Sequence, residues 1–287
     1  MTTSIVHAEP TSAIPVGTRR VASRSFGRQH GPITRLVSPS GTGEAIKPFV
    51  FLDRGAVSFT GRPLFGIHPH SGIATLTVVL GGAMTYEDTT GKKGTVGTGG
   101  FEWMKAGRGV WHDGGALPGD PLRVFQLWIA LSADEELAPA ESHYIDPGDV
   151  QRDGPVRVVL GEYGQARSVI PGSPRINYFH VQLEAGERWR FVPPSTHSVA
   201  WLAIDRGSVL APEGIREGEL VVFDQSGGAI DIEATADTSL VFGSAPRHPY
   251  PLVLGDYSVH TNLRALAAGE AEIARIGAGL RGAGRVR

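Results

Sequence analysis

The sequence predicts an all-β protein with two domains and a short helix near the carboxyl end. The chain has 287 residues, and because a domain commonly takes about 100–200 residues, two separate cores can form. The 39 glycines and 20 prolines are spread along the chain rather than gathered in one block. Turn-forming residues at such short intervals favour many short strands.

The amino-terminal domain is predicted over residues 21–135, after a loose arm at 1–20. Its clearest strand is 75–80, a continuous run rich in β-branched residues. Segment 83–87 and the turn at 88–94 then predict a hairpin. The other strands expected in this domain are 21–26, 95–100, 101–104, a strand that contains His112, and 122–129.

The second domain is predicted over residues 155–248, after a linker at 136–154 whose composition is acidic and turn-forming. A recurring glycine rhythm in both halves suggests a duplication. The second half has no HxH motif, and its His180 and His197 stand alone, as structural or surface histidines usually do. We therefore expect its barrel to hold no metal. The strands expected here are 156–160, 176–183, 199–204, 219–223 and 238–242.

An extension at 249–276 is predicted to end in a helix. Apolar residues recur at approximate helical spacing from 262 to 276, and Thr261 or Asn262 can cap the first turn. We expect this helix to pack on the surface of a barrel. The remaining residues, 277–287, are predicted to form a flexible tail.

The charge and composition exclude several classes of protein. The formal net charge is −2 and the basic clusters lie at the ends of the chain, so direct nucleic-acid binding is not expected. The absence of cysteine excludes disulfides and thiolate ligands. The first 21 residues are broken by Pro10 and Pro15 and indicate neither a secretory signal nor a membrane span. A cytoplasmic location is expected.

The most informative motif is His68-Pro69-His70, with His112 further along the chain. Side chains at i and i+2 of a strand point to the same face, so two imidazoles can converge on one ion. Pro69 favours an extended backbone for the pair. An isolated HxH is more often an accidental match, but a distant third histidine is typical of a metal site.

Several segments together resemble the pirin family: FVFLD at 49–53, GIHPHSG at 66–72, VLGG at 79–82, and WMKAGRG at 103–109 followed by His112. A weaker likeness is seen at 248–255. The resemblance implies two tandem cupin barrels of jelly-roll type. It also implies one metal ion, usually iron, in the amino-terminal barrel. In that family the ligands are two histidines of the HxH, a later histidine, and a glutamate two residues beyond it.

His68, His70 and His112 match the three histidines of this pattern, but both carboxylate positions differ. The position of the family's glutamate ligand holds Gly114, and the glutamate of the general cupin motif is replaced by Ala74. The neighbour of His112, Asp113, should face the opposite side of the strand. The sequence leaves open which way Glu102 points.

Three neutral imidazoles can still hold a divalent ion, and they suit iron, nickel, copper, zinc and, with weaker preference, manganese. Iron is the ion that the resemblance favours. With no protein anion beside it, such an ion would prefer an anionic, chelating ligand. The residues predicted to line the pocket are Phe65, Ile67, Trp103 and Gly114.

Two functional classes follow. In the first, the resemblance implies a metal-dependent dioxygenase of the quercetin 2,3-dioxygenase type, with weak or altered activity because Gly114 removes the family's general base. The partner would be a small anionic or aromatic molecule. In the second, the protein is a non-catalytic cupin that regulates or binds another protein. Direct nucleic-acid and membrane partners are not expected in either class.

Overall fold

A computed structural model describes residues 18–61, 66–170 and 175–286. Almost all of the predicted arm at 1–20 lies outside these ranges. The first elements are β1 (Val21–Ser25), β2 (Arg28–His30), β3 (Ile33–Val37), α1 (Thr42–Ile46), β4 (Phe49–Val57), β5 (His68–His70), β6 (Ile73–Gly81) and β7 (Ala83–Asp88). There follow β8 (Lys93–Gly97), β9 (Phe101–Lys105), β10 (Val110–Ala116), β11 (Leu122–Ala130), β12 (Glu141–Ile145), β13 (Arg152–Asp153), β14 (Val156–Leu160), β15 (Glu162–Tyr163) and β16 (Ala166–Arg167). The last elements are β17 (Asn177–Leu183), β18 (Arg188–Phe191), β19 (Val199–Arg206), β20 (Ser208–Leu210), β21 (Gly214–Arg216), β22 (Leu220–Phe223), β23 (Ile230–Ala234), β24 (Thr238–Ala245), β25 (Val253–Leu254), β26 (Val259–His260) and α2 (Leu263–Gly282).

The strands form two β-barrels, each made of a seven-stranded and a four-stranded sheet. In the amino-terminal barrel the strand orders are β12-β9-β6-β11-β4-β3-β2 and β5-β10-β7-β8. In the carboxy-terminal barrel they are β1-β22-β19-β24-β17-β14-β13 and β18-β23-β20-β21. The predicted hairpin is present as β7 and β8, which pair antiparallel. This architecture confirms the predicted all-β class with two barrels and a carboxy-terminal helix.

The two seven-stranded sheets pack face to face and share one apolar core. Strand β6 illustrates the arrangement, because its Leu76 and Val78 lie in this core with residues of the second barrel such as Trp201. Its Thr77 points the other way, toward Glu102 inside the amino-terminal barrel. Because successive side chains of a strand point to opposite faces, each seven-stranded sheet has one face in the core between the barrels and one face toward the interior of its own barrel.

The interiors of the two barrels differ in polarity. Aromatic side chains, among them Phe179, Trp189, Phe191 and Phe242, fill the carboxy-terminal barrel. The apolar cluster inside the amino-terminal barrel is much smaller and leaves room for polar groups. The fold thus concentrates its buried polar chemistry in the amino-terminal barrel.

Each end of the described chain packs on the barrel that is built mainly from the other half of the chain. Strand β1 pairs with β22, so it belongs to the sheet built mainly from the second half of the chain. Helix α2 instead packs against β5 and β10 of the amino-terminal barrel. Asn262 caps this helix, as predicted, by accepting a hydrogen bond from the Ala265 amide at 2.9 Å.

Two segments are more ordered than their composition predicts. Helix α2 continues to Gly282, although residues 277–287 were expected to form a flexible tail. Gly277 allows the helix to pack closely on Trp111, because a Cβ at this position would lie only 2.6 Å from Trp111 Cζ2. The predicted linker at 136–154 contributes the edge strand β12 and the buried Glu136. Within the residues that the structure describes, neither helix combines the length and apolar character that crossing a bilayer requires.

Candidate metal centre

Three histidines meet at the wall of the amino-terminal barrel. His68 and His70 lie on β5, and the antiparallel pairing of β5 with β10 sets His112 opposite His68. One ring nitrogen from each imidazole lies within 4.8 Å of the others. The i, i+2 spacing and the distant third histidine therefore converge as the sequence predicts.

Each histidine has an acceptor beside its Nδ1 atom. His68 Nδ1 lies 2.9 Å from the Gly66 carbonyl oxygen, and His70 Nδ1 lies 3.2 Å from that of Tyr257. His112 Nδ1 lies 3.2 Å from the Glu102 carboxylate. In the neutral form of each ring, the proton on Nδ1 serves these acceptors and leaves the lone pair on Nε2.

These Nε2 atoms suit a cation. The Nε2 atoms of His68 and His112 face one another at 3.1 Å, and the buried Nε2 of His70 has no hydrogen-bond partner among the described residues. Two lone pairs at this distance repel each other unless a positive centre lies near them. Three convergent imidazoles of one tautomer fit a divalent transition metal.

Burial keeps two of these imidazoles neutral at physiological pH. Desolvation, assisted by the neighbouring His112, lowers the pKa of His68 to about 4. Desolvation in the same way holds the pKa of His70 well below its usual value. The neutral ring is the form that binds metals, so no proton has to be displaced from these two side chains.

Glu102 supplies a carboxylate that the sequence alone could not place. It is 2% exposed and also accepts a hydrogen bond from Thr77 Oγ1 at 2.9 Å. Strand β9 turns Glu102 into the barrel, and the next residue, Trp103, therefore faces the core between the barrels. The expectation that no protein anion lies near the site is wrong, because this carboxylate contacts His112.

A row of polar side chains continues from Glu102 across the inner face of the sheet. Strand register sets Glu102 beside Thr77, Thr77 beside Gln126, and Gln126 beside Asp53. Asp53 forms a two-contact ion pair with Arg35, in which Arg35 Nη2 lies 3.0 Å from Asp53 Oδ2. Burial raises the pKa of Asp53, and the bonds from Arg35 partly oppose that rise.

Two spaces adjoin the histidines. The inner cavity, of about 90 Å³, lies inside the barrel and is bounded by His68, His112, Glu102, Gly114 and several aliphatic side chains. The outer pocket, of about 290 Å³, shares His68, Asp53 and Gln126 with the inner cavity. Its walls include His70, Trp128, Phe51, Arg35 and Tyr257.

The residues predicted to line the pocket do not all lie in its walls. Gly114 lines the inner cavity, and a Cβ there would meet the Thr85 carbonyl oxygen at 3.1 Å. Trp103 does not line it, because strand alternation buries this ring between the barrels. Among the described residues Ile67 is half-buried and outside both linings. Phe65 lies outside the described residues.

Ala74 also faces the core between the barrels. A glutamate at that position would point away from the histidines, so its loss has no direct effect on the centre. The polar residues that sequence reasoning missed had a visible signal. Asp53 directly follows the apolar run 49–52, and Gln126 interrupts the apolar run 124–129; a buried polar residue in such a run often marks a site.

A two-barrel cupin with a histidine centre is the class of protein that this fold and geometry define. A profile of the family described as Pirin matches residues 32–129. A pirin-like protein of Caulobacter vibrioides is 34% identical over 227 residues, which cover 74% of this chain and 80% of the relative. The chain belongs to the pirin family.

Solved structures agree on the fold. A quercetin 2,3-dioxygenase from Acinetobacter baumannii superposes with a TM-score of 0.81 at 22% identity, covering 90% of this chain and 98% of that one. The Escherichia coli bacterial pirin YhhW, solved in complex with nickel(II), gives a TM-score of 0.62 at 20% identity. That match covers 81% of this chain and 99% of YhhW.

Proposed function

We propose that this pirin binds one divalent transition metal ion through His68, His70 and His112. The observation that carries the proposal is the geometry of the three rings, whose Nδ1 atoms each lie beside an acceptor while one nitrogen of each ring converges with the others. Iron is the favoured ion. Nickel, the ion in the YhhW complex, remains an alternative, as do copper, zinc and manganese.

We further propose a dioxygenase of the quercetin 2,3-dioxygenase type, acting on a small anionic and aromatic substrate. A bound divalent metal supplies Lewis-acid stabilisation of a substrate oxyanion. In the outer pocket, Phe51 and Trp128 stack at 4.1 Å between ring centroids and offer an aromatic wall. Arg35 lies 3.9 Å over the Phe51 ring, so a cation stands at the same wall.

The proposed substrate arrives already ionised. Gly114 provides no carboxylate to accept a proton, and Glu102 is engaged by His112 and Thr77. A carboxylate or acidic enol can bind without losing a proton in the site, whereas a neutral flavonol cannot. Weak or altered activity on quercetin is therefore expected, and an acidic chelator is the better substrate class.

Metal content is the first test. Untagged protein, purified without chelators, should contain close to one transition metal ion per chain by mass spectrometry. The His68→Ala variant should lose it, since two imidazoles bind less tightly than three. Substoichiometric metal in both proteins would contradict the proposal.

The second candidate is a non-catalytic cupin that binds a protein partner, with a cytoplasmic location as in the first. The observation that favours it is Gly114, which offers no carboxylate at the position of the family's glutamate ligand. Oxygen uptake with quercetin and with acidic enols separates the two. Metal-dependent uptake that His112→Ala abolishes supports the enzyme. Absence of uptake by metal-loaded, folded protein supports the binding module.

A further inference from the structure

A buried chain of hydrogen bonds begins at Ser71, the residue that follows the proposed ligand His70. Glu136 lies 2.9 Å from His260 Nδ1, and His260 Nε2 lies 3.0 Å from the Ser71 hydroxyl. Thr261 donates to the same carboxylate from its amide, at 2.8 Å, and from its hydroxyl, at 2.6 Å. All four residues are buried. We call Glu136, His260 and Ser71 the buried relay.

The order of groups in the buried relay is that of a serine nucleophile with its base and orienting acid. Its surroundings exclude that role. Ser71 is fully buried and lines neither of the two spaces beside the histidines. Helix α2 covers it so closely that a Cβ on Gly269 would lie 2.5 Å from the Ser71 hydroxyl. A substrate has no approach to this oxygen, so the relay serves another purpose.

The buried relay joins the carboxy-terminal segment to the strand that carries the HxH motif. Ser71 follows His70 directly and forms a parallel bridge with Ser258. The hydroxyls of these two serines are 2.9 Å apart, and the Val259 amide donates to the Ser71 carbonyl at 3.3 Å. The residue before Ser258 is Tyr257, whose carbonyl oxygen meets His70 Nδ1 at 3.2 Å.

We propose that the buried relay positions the metal ligand His70, an inference that rests on the proposed metal site. By fixing Ser258 and its neighbours against β5, the relay holds the Tyr257 carbonyl at the His70 ring. That carbonyl keeps the proton on Nδ1 and directs the lone pair of Nε2 to the centre. The Glu136 carboxylate, which receives donors from His260 and Thr261, anchors the arrangement.

Binding of Co²⁺ to the purified apoprotein tests this role. Ser71→Ala and Glu136→Gln each cut the relay without adding volume. Partners that orient a ligand histidine typically contribute about 10–100-fold to metal affinity. We expect each variant to bind Co²⁺ at least about tenfold more weakly in chelator competition. The visible spectrum of bound Co²⁺ should also change, because His70 is no longer held in one orientation.

Ser239→Ala is the matched control. Ser239 also contacts the Nε2 of a buried histidine, His180, at 3.0 Å, but in the carboxy-terminal barrel. It should lower the unfolding temperature and leave Co²⁺ affinity unchanged. Wild-type affinity and spectrum in both relay variants would overturn the positioning role while leaving the metal site intact. Failure of the wild-type protein to bind Co²⁺ would overturn the metal site itself.

Discussion

At the scale of single residues, the three histidines differ in what holds them. Backbone carbonyls face His68 and His70, whereas a side-chain carboxylate, Glu102, faces His112. Only the last of these direct partners can be changed by substitution. Glu102 is therefore the residue through which the tautomer of a proposed ligand can be tested directly.

We expect Glu102→Gln to weaken metal binding about 10–100-fold, because an amide holds the Nδ1 proton of His112 less strongly than a carboxylate does. Chelator competition on the purified protein measures the effect. Asp53→Asn is the control, since Asp53 belongs to the same polar row but pairs with Arg35 rather than with a histidine. Equal affinities in Glu102→Gln and wild type would contradict the assigned role.

Gly114→Glu should restore a carboxylate beside the centre. A Cβ at this position would meet the Thr85 carbonyl oxygen at 3.1 Å and the flexible end of Met84 at 3.2 Å, so a side chain fits after a small shift. We expect tighter metal binding and weaker binding of added carboxylates, which calorimetry can measure. Thr85→Glu is the control, because Thr85 is exposed on the neighbouring strand β7 and does not line the inner cavity. Unchanged affinities in Gly114→Glu would count against this geometry.

The residues of the centre were predictable to different degrees. The histidines could be found because strand geometry fixes i and i+2 on one face, and pirin resemblance supplied His112. The direction of Glu102 could not be found, because alternation leaves two choices until it is known which face meets the other barrel. Tyr257 could not be found either, since it lies 187 residues from His70 in sequence.

At the scale of elements, helix α2 depends on glycines that contact the barrel. Gly269 and Gly277 have no room for a side chain, against His260 and Trp111 respectively. The Trp111 indole donates to the Ile273 carbonyl at 2.8 Å. The sequence predicts a flexible tail from 277, whereas α2 continues to Gly282, although glycine has a low helix propensity. Close packing offsets that cost, which is about 1 kcal/mol for each glycine.

Two alanine substitutions on this helix should have opposite effects. A Cβ at Gly269 would lie 2.5 Å from both His260 Nε2 and Ser71 Oγ, so Gly269→Ala should lower the free energy of unfolding by about 1–3 kcal/mol. Gly279 has nothing within 4 Å of its Cβ position, and Gly279→Ala should raise it by up to about 1 kcal/mol. Urea denaturation measures both. A neutral Gly269→Ala would mean that the helix is not docked this closely.

At the scale of the whole molecule, one apolar core unites the two barrels. Phe49 of the first barrel packs edge-on against Trp201 of the second, with ring centroids 5.4 Å apart. The all-β class was predictable from turn spacing and β-branched runs. The face-to-face contact was not, because a buried strand looks equally apolar whichever sheet covers it.

The stability of the metal-free protein should fall in mild acid. Burial, with Arg157, Arg123 and Arg152 nearby, lowers the pKa of His180 to about 4. Between that value and the usual 6.5 the unfolded chain binds a proton that the folded chain does not, so stability present above pH 6.5 is lost as pH falls toward 4. At pH 5 the loss from His180 is about 2 kcal/mol. His197 and His248, whose pKa values burial also lowers to about 4, add to it.

Urea denaturation at pH 7.5 and pH 5 measures this loss, with chelator present at both. The His180→Asn variant should lose less stability between the two conditions than the wild type, since its side chain does not titrate in this range. Identical losses in the two proteins would show that the pKa of His180 is not lowered in the folded protein.

The crossing of the chain ends has a consequence for how the protein is made. During translation, His70 and its strand β5 emerge from the ribosome long before Tyr257 and helix α2 do. During that interval the amino-terminal barrel lacks the carbonyl that faces His70 and the helix that covers β5. Strand β1, the first described strand of the chain, likewise waits for β22, its partner in the carboxy-terminal barrel. The candidate metal centre is therefore completed only after Tyr257, 187 residues beyond His70, has been synthesised, and we expect the chain to gain its metal after that point.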